Sequence, residues 1–426
     1  MALTTTEVVQ LTDKEIWDHC DHDVRTSLGS FIREFNKREW SVRIGKTHES
    51  FDDYTQHGYT HREEFGTGFV VNGRPVPYFH PNRSFHDEII WLNSNLYYNH
   101  EVSFTNRLVN SAIVKFYGPS RTLDIITGTA DDLAYLTRTG STYVDFDRLR
   151  SDAEYEYVVM RNIELASYNK QQLWGTTELR TSLQKSSRDH ARLNPTPIDI
   201  RGVICPRTGA TVIPPNSASK ERKMRTSDMI AWIKSLSTDW VNFYSTKPDM
   251  EKSYQFLTSY PGIGPYYGYH FSSNLARMPG VGSAPLIEHE HGSRYALLRD
   301  RDADLSHGNL DENADYVVAG PGACATLKSL WNAFPINPRT TMRMILAIRD
   351  NQEKYFDISS EMDYKYLTEA SELGRFTTFG IEIGCCQFNV FNRLKDSPST
   401  AANRANAPIS KEAGKGGSTS LESFFD

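Results

Sequence analysis

Apolar residues recur at helical spacing through most of this chain, and the breaks fall where Pro, Gly and β-branched residues gather. Residues 1–48 read as helical, with Val24, Leu28, Phe31, Ile32, Phe35 and Trp40 at near-helical intervals between charges. Residues 49–82 are rich in Gly, His and aromatics and predict a loop. Within it, Phe69–Val76 reads as a short hairpin turned at Asn72–Gly73. Helical patterning resumes over Asp87–Tyr117, Ala130–Leu136 and Arg148–Tyr168. A Pro-rich stretch, 193–224, interrupts it and reads as a strand-like insertion or crossing. Helices return at Arg225–Phe243, Met250–Tyr260, Tyr266–Met278, Gly322–Phe334, Arg339–Asp350 and Tyr366–Lys395. Residues 396–426 lack periodicity and predict a disordered tail. No internal repeat is visible. The expected organisation is a mainly helical region over 1–192, the insertion at 193–224, a helical domain over 225–395, and the tail.

The sharpest punctuation in this pattern is Tyr260-Pro261-Gly262-Ile263-Gly264-Pro265. One helix ends at Tyr260 and another starts at Pro265, where a missing N–H costs nothing. Gly262 and Gly264 admit positive φ and close approach by another backbone. Ile263 is placed to plug the gap between the helices, and Gly268 to let them pack closely. The exposed amides, with the positive end of the second helix, suit a phosphate. This is the form of a helix-hairpin-helix DNA-binding element, whose contacts position the protein without reading sequence. A plain helical hairpin is the alternative.

Composition constrains how such binding works. The 426 residues allow two to three domains, and 38% hydrophobic content is ample for a core. Lys and Arg total 47 against 53 Asp and Glu, a net charge of -6, so DNA contacts must be local rather than spread over a basic surface. The 22 Tyr and 21 Phe suit either stacking surfaces or a large aromatic core. Cys20, Cys205, Cys324, Cys385 and Cys386 form no CxxC pair, which argues for a reducing compartment. No signal peptide or apolar run of membrane-spanning length is read, so the expectation is an intracellular protein without a membrane partner.

Two later stretches carry candidate chemistry. Ala319-Gly320-Pro321-Gly322-Ala323 ends an apolar run and opens a helix. Its small residues leave amides bare at a helix N-terminus, which suits an anion at Gly320, Gly322 and Ala323, or serves simply as a turn. Glu382 is the only carboxylate in the apolar stretch Phe379–Arg393. Burial there raises a carboxyl pKa and is one route to an acid–base catalyst, but on sequence alone a Glu tied to a helix terminus or an Arg is the reading to prefer. Glu288-His289-Glu290-His291, with His307, follows no standard zinc spacing and reads as a solvated loop. No metal and no cofactor are expected.

In their order along the chain, YPGIGPYYGYHFSSNL, DYVVAGPGACATL and EIGCCQF resemble the motifs of the alpha-glutamyl/putrescinyl thymine pyrophosphorylases. These amino acid:DNA transferases build hypermodified thymines, mostly in phage DNA. The resemblance covers about residues 225–395, with an N-terminal echo at Ser103–Asn106. It implies a helix-hairpin-helix DNA glycosylase-like fold. It also implies group transfer to the exocyclic methylene of a pyrophosphorylated 5-hydroxymethyluracil in DNA, with an amine or amino-acid donor of unknown identity. The base must be extruded, and Tyr266, Tyr267 or Trp331 would stack on it. Pyrophosphate would be held by the Gly320–Ala323 amides and by Arg294 or Arg301. Asn274 stands where the family has Asp, and Gln387 where it has Glu, and an amide cannot act as a general base. The catalytic candidates are therefore Glu382, Asp315, Asn274 and Gln387. The rival readings are a glycosylase using Asp315 and a non-catalytic DNA-binding derivative.

The tail ends in Ser418-Thr419-Ser420-Leu421-Glu422-Ser423-Phe424-Phe425, which is similar to peptides that bind the replication sliding clamp. Leu421, Phe424 and Phe425 would plug one apolar pocket. That resemblance implies a nuclear protein if the host is eukaryotic; the alternative is the cytoplasm of a phage-infected cell.

Overall fold

The computed structural model describes residues 2–43, 59–61, 69–71, 74–75, 89, 92–97, 99, 101–117, 120–131, 133–168, 234, 237–260, 263–283, 308–355 and 376–396. The chain is mainly helical. In order, α1 (Thr5–Gln10), α2 (Asp13–Asp18) and α3 (His22–Arg43) precede three short strands. These are β1 (Tyr59–His61), β2 (Phe69–Val71) and β3 (Arg74–Pro75). A π-helical turn, Asn93–Tyr97, leads to α4 (Phe104–Tyr117), α5 (Ser120–Thr127), α6 (Phe146–Ser151) and α7 (Ala153–Tyr168). A helical stretch at 237–244 then precedes α8 (Met250–Thr258), α9 (Pro265–Leu275), α10 (Pro321–Leu330), α11 (Pro338–Tyr355) and α12 (Thr378–Asp396).

Two compact units emerge, and they interleave along the chain. The first comprises Met1–His86, His289–Ala296 and Asn313–Asp426; the second comprises Asp87–Glu288 and Leu297–Glu312. The N-terminal helices thus fold with the C-terminal ones, whereas the sequence suggested a separate region over 1–192. Core formation explains the difference. Trp17 Nε1 donates to Ala347 O at 2.9 Å, and Trp331 Nε1 donates to Ile16 O at 2.7 Å, with the two indole centroids 5.9 Å apart. Phe31 packs on Phe388 and Phe391 at 5.4 and 5.0 Å. Each large aromatic needs an apolar neighbour and each indole N–H an acceptor, and α1–α3 supply both to α10–α12.

The start of this unit is built by local rules. Thr4 and Thr12 each head a capping box, with Glu7 and Glu15 reaching back to the cap amide at 2.7 and 2.8 Å. Those backbone hydrogen bonds hold both carboxyls below their ordinary value. Deeper in, Arg349 joins three segments. It pairs with Asp350 and Asp315 and donates to Asn313 O and Thr378 Oγ1. The hairpin expected at Phe69–Val76 is present as β2 paired antiparallel with β3, and β1 adds a third strand on the other edge of β2.

In the second unit, asparagine side chains organise the segments between helices. Asn110 accepts from Val144 N and donates to Val144 O, at 2.9 and 2.8 Å, and Asn106 accepts from Phe146 N at 2.8 Å. Asn162 does the same for Thr137 N and O and also donates to Ile126 O. Here the expected helix at Ala130–Leu136 does not form. Gly128, at φ +72, ends α5 where a Cβ would meet Thr137 O at 2.1 Å, and separate turns follow, with Leu133 N donating to Ala130 O and Leu136 N to Leu133 O. The side chain of Asn162 instead holds backbone groups on both sides of this segment, Ile126 O before it and Thr137 N and O after it. The 193–224 insertion and the 396–426 tail lie outside the described residues.

Candidate functional site

The α8–α9 hairpin forms at the punctuation noted in the sequence. Asp249 caps α8, its carboxylate accepting from Lys252 N at 2.8 Å. Ile263 is buried at the turn, and Pro265 is the first residue of α9. Gly268 lets the helices close, since a Cβ there would lie 2.7 Å from Thr258 Cγ2. Hydroxyls line the inner face: Tyr244 Oη lies 2.8 Å from Ser253 Oγ, which lies 2.6 Å from Ser272 Oγ. Burial pushes the Tyr244 phenol well above its ordinary range, so it stays protonated. The N-cap of α9 is Gly264, which has no side chain to cap the helix.

Gly264 differs from expectation. Its φ of -75 and ψ of 172 are ordinary extended backbone, and a Cβ would meet nothing within 4 Å. The glycine is therefore required neither by backbone conformation nor by a close neighbour among the described residues. Gly262 lies outside the described residues.

In the first unit, two motifs separated by 62 positions meet. The Gly320 amide donates to Glu382 Oε1 at 2.9 Å, and Glu382 is only 3% exposed. Gly320 is the N-cap of α10, so a carboxylate of the chain itself sits at the positive end of that helix. Gly322 permits this, because a Cβ there would lie 2.6 Å from Cys386 Sγ and 3.2 Å from Cys386 O. The crossing of α10 and α12 is fixed by that contact and by Thr326 Oγ1, which donates to Cys385 O at 2.6 Å. The contact changes the expectation for phosphate: an anion arriving at Gly320 would meet the charge of Glu382.

The other candidates fall in varied surroundings. Asn274 belongs to the second unit and is 0% exposed, its carbonyl accepting from Tyr97 Oη at 3.2 Å. The Asp315 side chain is 82% exposed and pairs with Arg349 at 2.8 Å. Gln387 is half-buried, with its Oε1 shielded from solvent and without a hydrogen-bond partner. Two of the three proposed stacking aromatics are enclosed: Trp331 by Trp17 and Phe334, and Tyr267 within the hairpin core. Both are buried because each completes a core. Tyr266 is half-buried and lies against His270, with ring centroids 4.0 Å apart and the planes tilted by 30°. Glu288–His291, Arg294, Arg301, His307, Leu421, Phe424 and Phe425 lie outside the described residues.

One grouping escaped sequence reasoning. Cys324 and Cys385 feel the charge of Glu382, and Cys20, Cys324 and Cys386 act on Cys385. Burial pushes the Cys20 thiol up to about 12 and Cys324 to about 11, with Glu382 adding to the latter. Buried thiols of this kind are poor nucleophiles. Because the folded values exceed the ordinary 9.0, the folded chain holds these protons more tightly than the unfolded one. Their contribution is complete below about pH 9 and is lost as pH rises through the folded values. Urea midpoints are expected to fall between pH 8 and pH 10.5, and alkylation of Cys324 in the native protein to be about 100-fold slower than in an unstructured peptide. Alkylation at the peptide rate would contradict the assigned environment.

Among the described residues, no group of three His, Cys, Asp or Glu is arranged to hold a metal ion, and no helix is long and apolar enough to cross a membrane. No family model, curated protein or solved structure matches the chain.

Proposed function

We propose that this chain binds DNA through the α8–α9 hairpin and transfers a group to a modified base. The observation that carries the DNA reading is the N-terminus of α9, whose N-cap Gly264 makes no side-chain cap hydrogen bond and where a Cβ would meet nothing within 4 Å among the described residues. A helix end of this kind offers amide donors and a partial positive charge to a phosphate. That suits a chain of net charge -6, which has no general excess of cations to spread along a duplex.

The transfer reading is supported by the 2.9 Å contact between Gly320 and Glu382, which brings together two of the three motifs shared with the thymine pyrophosphorylases. In the proposed reaction the bond from the exocyclic methylene of 5-hydroxymethyluracil to pyrophosphate breaks. An amine nitrogen bonds to that carbon and gives up a proton, which Glu382 accepts. The glycosylase alternative is weaker, since Asp315 is held in a solvent-exposed ion pair rather than a water-excluding pocket. The complete enclosure of Asn274 favours a second reading, in which the fold binds DNA without turnover.

Nucleoside mass spectrometry separates these readings, with the protein, pyrophosphorylated 5-hydroxymethyluracil duplex and a panel of amines. A heavier nucleoside is expected. Glu382→Gln should lower its formation by about 100-fold or more while leaving duplex affinity unchanged. An abasic product supports the glycosylase, and binding without any product supports the non-catalytic reading.

A further inference from the structure

Every residue from Tyr267 to Met278 is buried, although several are polar. Just beyond α9, Arg277 is taken up by a buried ion pair with Glu312. Within the helix, a serine joins hydroxyls from two other elements. Tyr244 closes the helical stretch 237–244, Ser253 lies on α8 and Ser272 on α9, and all three are 0% exposed. Tyr244 Oη is 2.8 Å from Ser253 Oγ, which is 2.6 Å from Ser272 Oγ. Ser272 Oγ in turn donates to Gly268 O at 2.9 Å.

The last link fixes the direction of the others. A hydroxyl has one proton to give, and a carbonyl can only accept. The Ser272 proton is spent on Gly268 O, so Ser272 accepts from Ser253. Ser253 has then spent its own proton and accepts from Tyr244. Burial holds the phenol protonated, so the head of the chain remains a donor. The other end reaches the turn, because the Gly268 amide donates to Gly264 O, the N-cap carbonyl of α9, at 3.0 Å. Gly268 is also where α8 and α9 approach, since a Cβ there would lie 2.7 Å from Thr258 Cγ2.

We propose that Tyr244 is a positioning residue for the α8–α9 turn, acting through a one-way chain of hydroxyls that ends on Gly268. Hydrogen bonds linked head to tail polarise one another, and a satisfied buried network holds its members in one arrangement. The chain ties the first turn of α9 to α8 and to the helix before it. Its effect on duplex binding rests on the DNA reading above; its hold on the turn does not.

Amide exchange in the full-length protein tests the direction of the chain. The ratio of the Gly268 rate to that of Ile113, in α4, separates loosening of the turn from a general loss of stability. Tyr244→Phe removes the head and leaves every remaining proton placed, so the ratio should rise about threefold. Ser272→Ala removes the end and strands one buried hydroxyl proton, whichever way Tyr244 and Ser253 turn. There the ratio should rise about tenfold, although alanine forms helix better than serine. Val159→Ala, in the core beside α7, should lower the urea midpoint and leave both the ratio and duplex affinity unchanged. Duplex affinity should fall about threefold in Tyr244→Phe as the turn loosens. An unchanged ratio in Tyr244→Phe, or a larger rise there than in Ser272→Ala, overturns the proposal. Should Ser272→Ala fail to fold, the Tyr244→Phe ratio still decides it. A parent protein that binds no duplex overturns the DNA reading alone. A raised ratio with parental affinity in Tyr244→Phe overturns the link from Tyr244 to binding.

Discussion

Arg277→Met is expected to lower the stability of the chain by about 3–5 kcal/mol, among the largest effects of any single change here. Arg277 and Glu312 are 5% and 2% exposed, so water cannot take over from the lost partner. Methionine keeps most of the aliphatic volume of arginine, which confines the loss to charge and hydrogen bonding. Native domains are stable by about 5–15 kcal/mol, so the variant approaches the threshold of folding. The cost comes from stranding the Glu312 charge, not from any large net attraction in the pair. The double variant Arg277→Met/Glu312→Leu should therefore recover most of the stability. Urea unfolding followed by tryptophan fluorescence measures all three proteins. A loss below about 1 kcal/mol in the single variant would mean that the pair is open to solvent, as surface pairs of that strength are.

The elements legible in the sequence were those whose signals are local. The α8–α9 hairpin needs only its Pro and Gly punctuation and the apolar faces beside it, and β2–β3 needs only the Asn-Gly dipeptide that follows Phe69–Val71. What was not legible depends on partners far away in the chain. Ala130–Leu136 has helical spacing, but the Asn162 side chain takes the backbone groups around it. The helix α5 was missed because eight residues carry too little pattern to stand out. The interleaving of the two units rests on contacts such as Trp17 to Ala347, which span 330 positions and leave no periodic trace.

The site divides in the same way. The expected centre held Asn274, the Gly320–Ala323 loop and Glu382; of these, Gly320 and Glu382 are in hydrogen-bond contact, while Asn274 belongs to the second unit. Resemblance could not say that the amide meant for a phosphate is held by that carboxylate. Nor could it show that Trp331 is required by the core and withdrawn from any ligand. An aromatic near a motif looks the same in sequence whether it faces a base or another indole. The thiols that act on Cys385 show the opposite case: the positions of Cys20 and Cys324 in the sequence suggested no link to it.

Gly264→Asp is expected to move stability and DNA affinity in opposite directions. The N-cap backbone at φ -75 and ψ 172 suits aspartate, and a Cβ there meets nothing within 4 Å. Aspartate at an N-cap accepts from amides in the first turn and stabilises a helix by a few tenths of a kcal/mol over glycine. The folded protein should therefore be slightly more stable. Those amides are the donors offered to a phosphate in the proposed binding mode, and the new carboxylate both occupies them and repels the anion. Duplex affinity should fall by about tenfold or more, equivalent to about 1.4 kcal/mol. Gly264→Asn caps in the same manner without a charge, so it separates occupied donors from repulsion. The gap between Asp and Asn should narrow as salt is raised. Fluorescence anisotropy with a short duplex, alongside thermal unfolding, reads both quantities. A more stable Asp variant that binds duplex as tightly as the parent would show that the N-terminus of α9 does not meet a phosphate, and the DNA-binding reading would lose the observation that carries it.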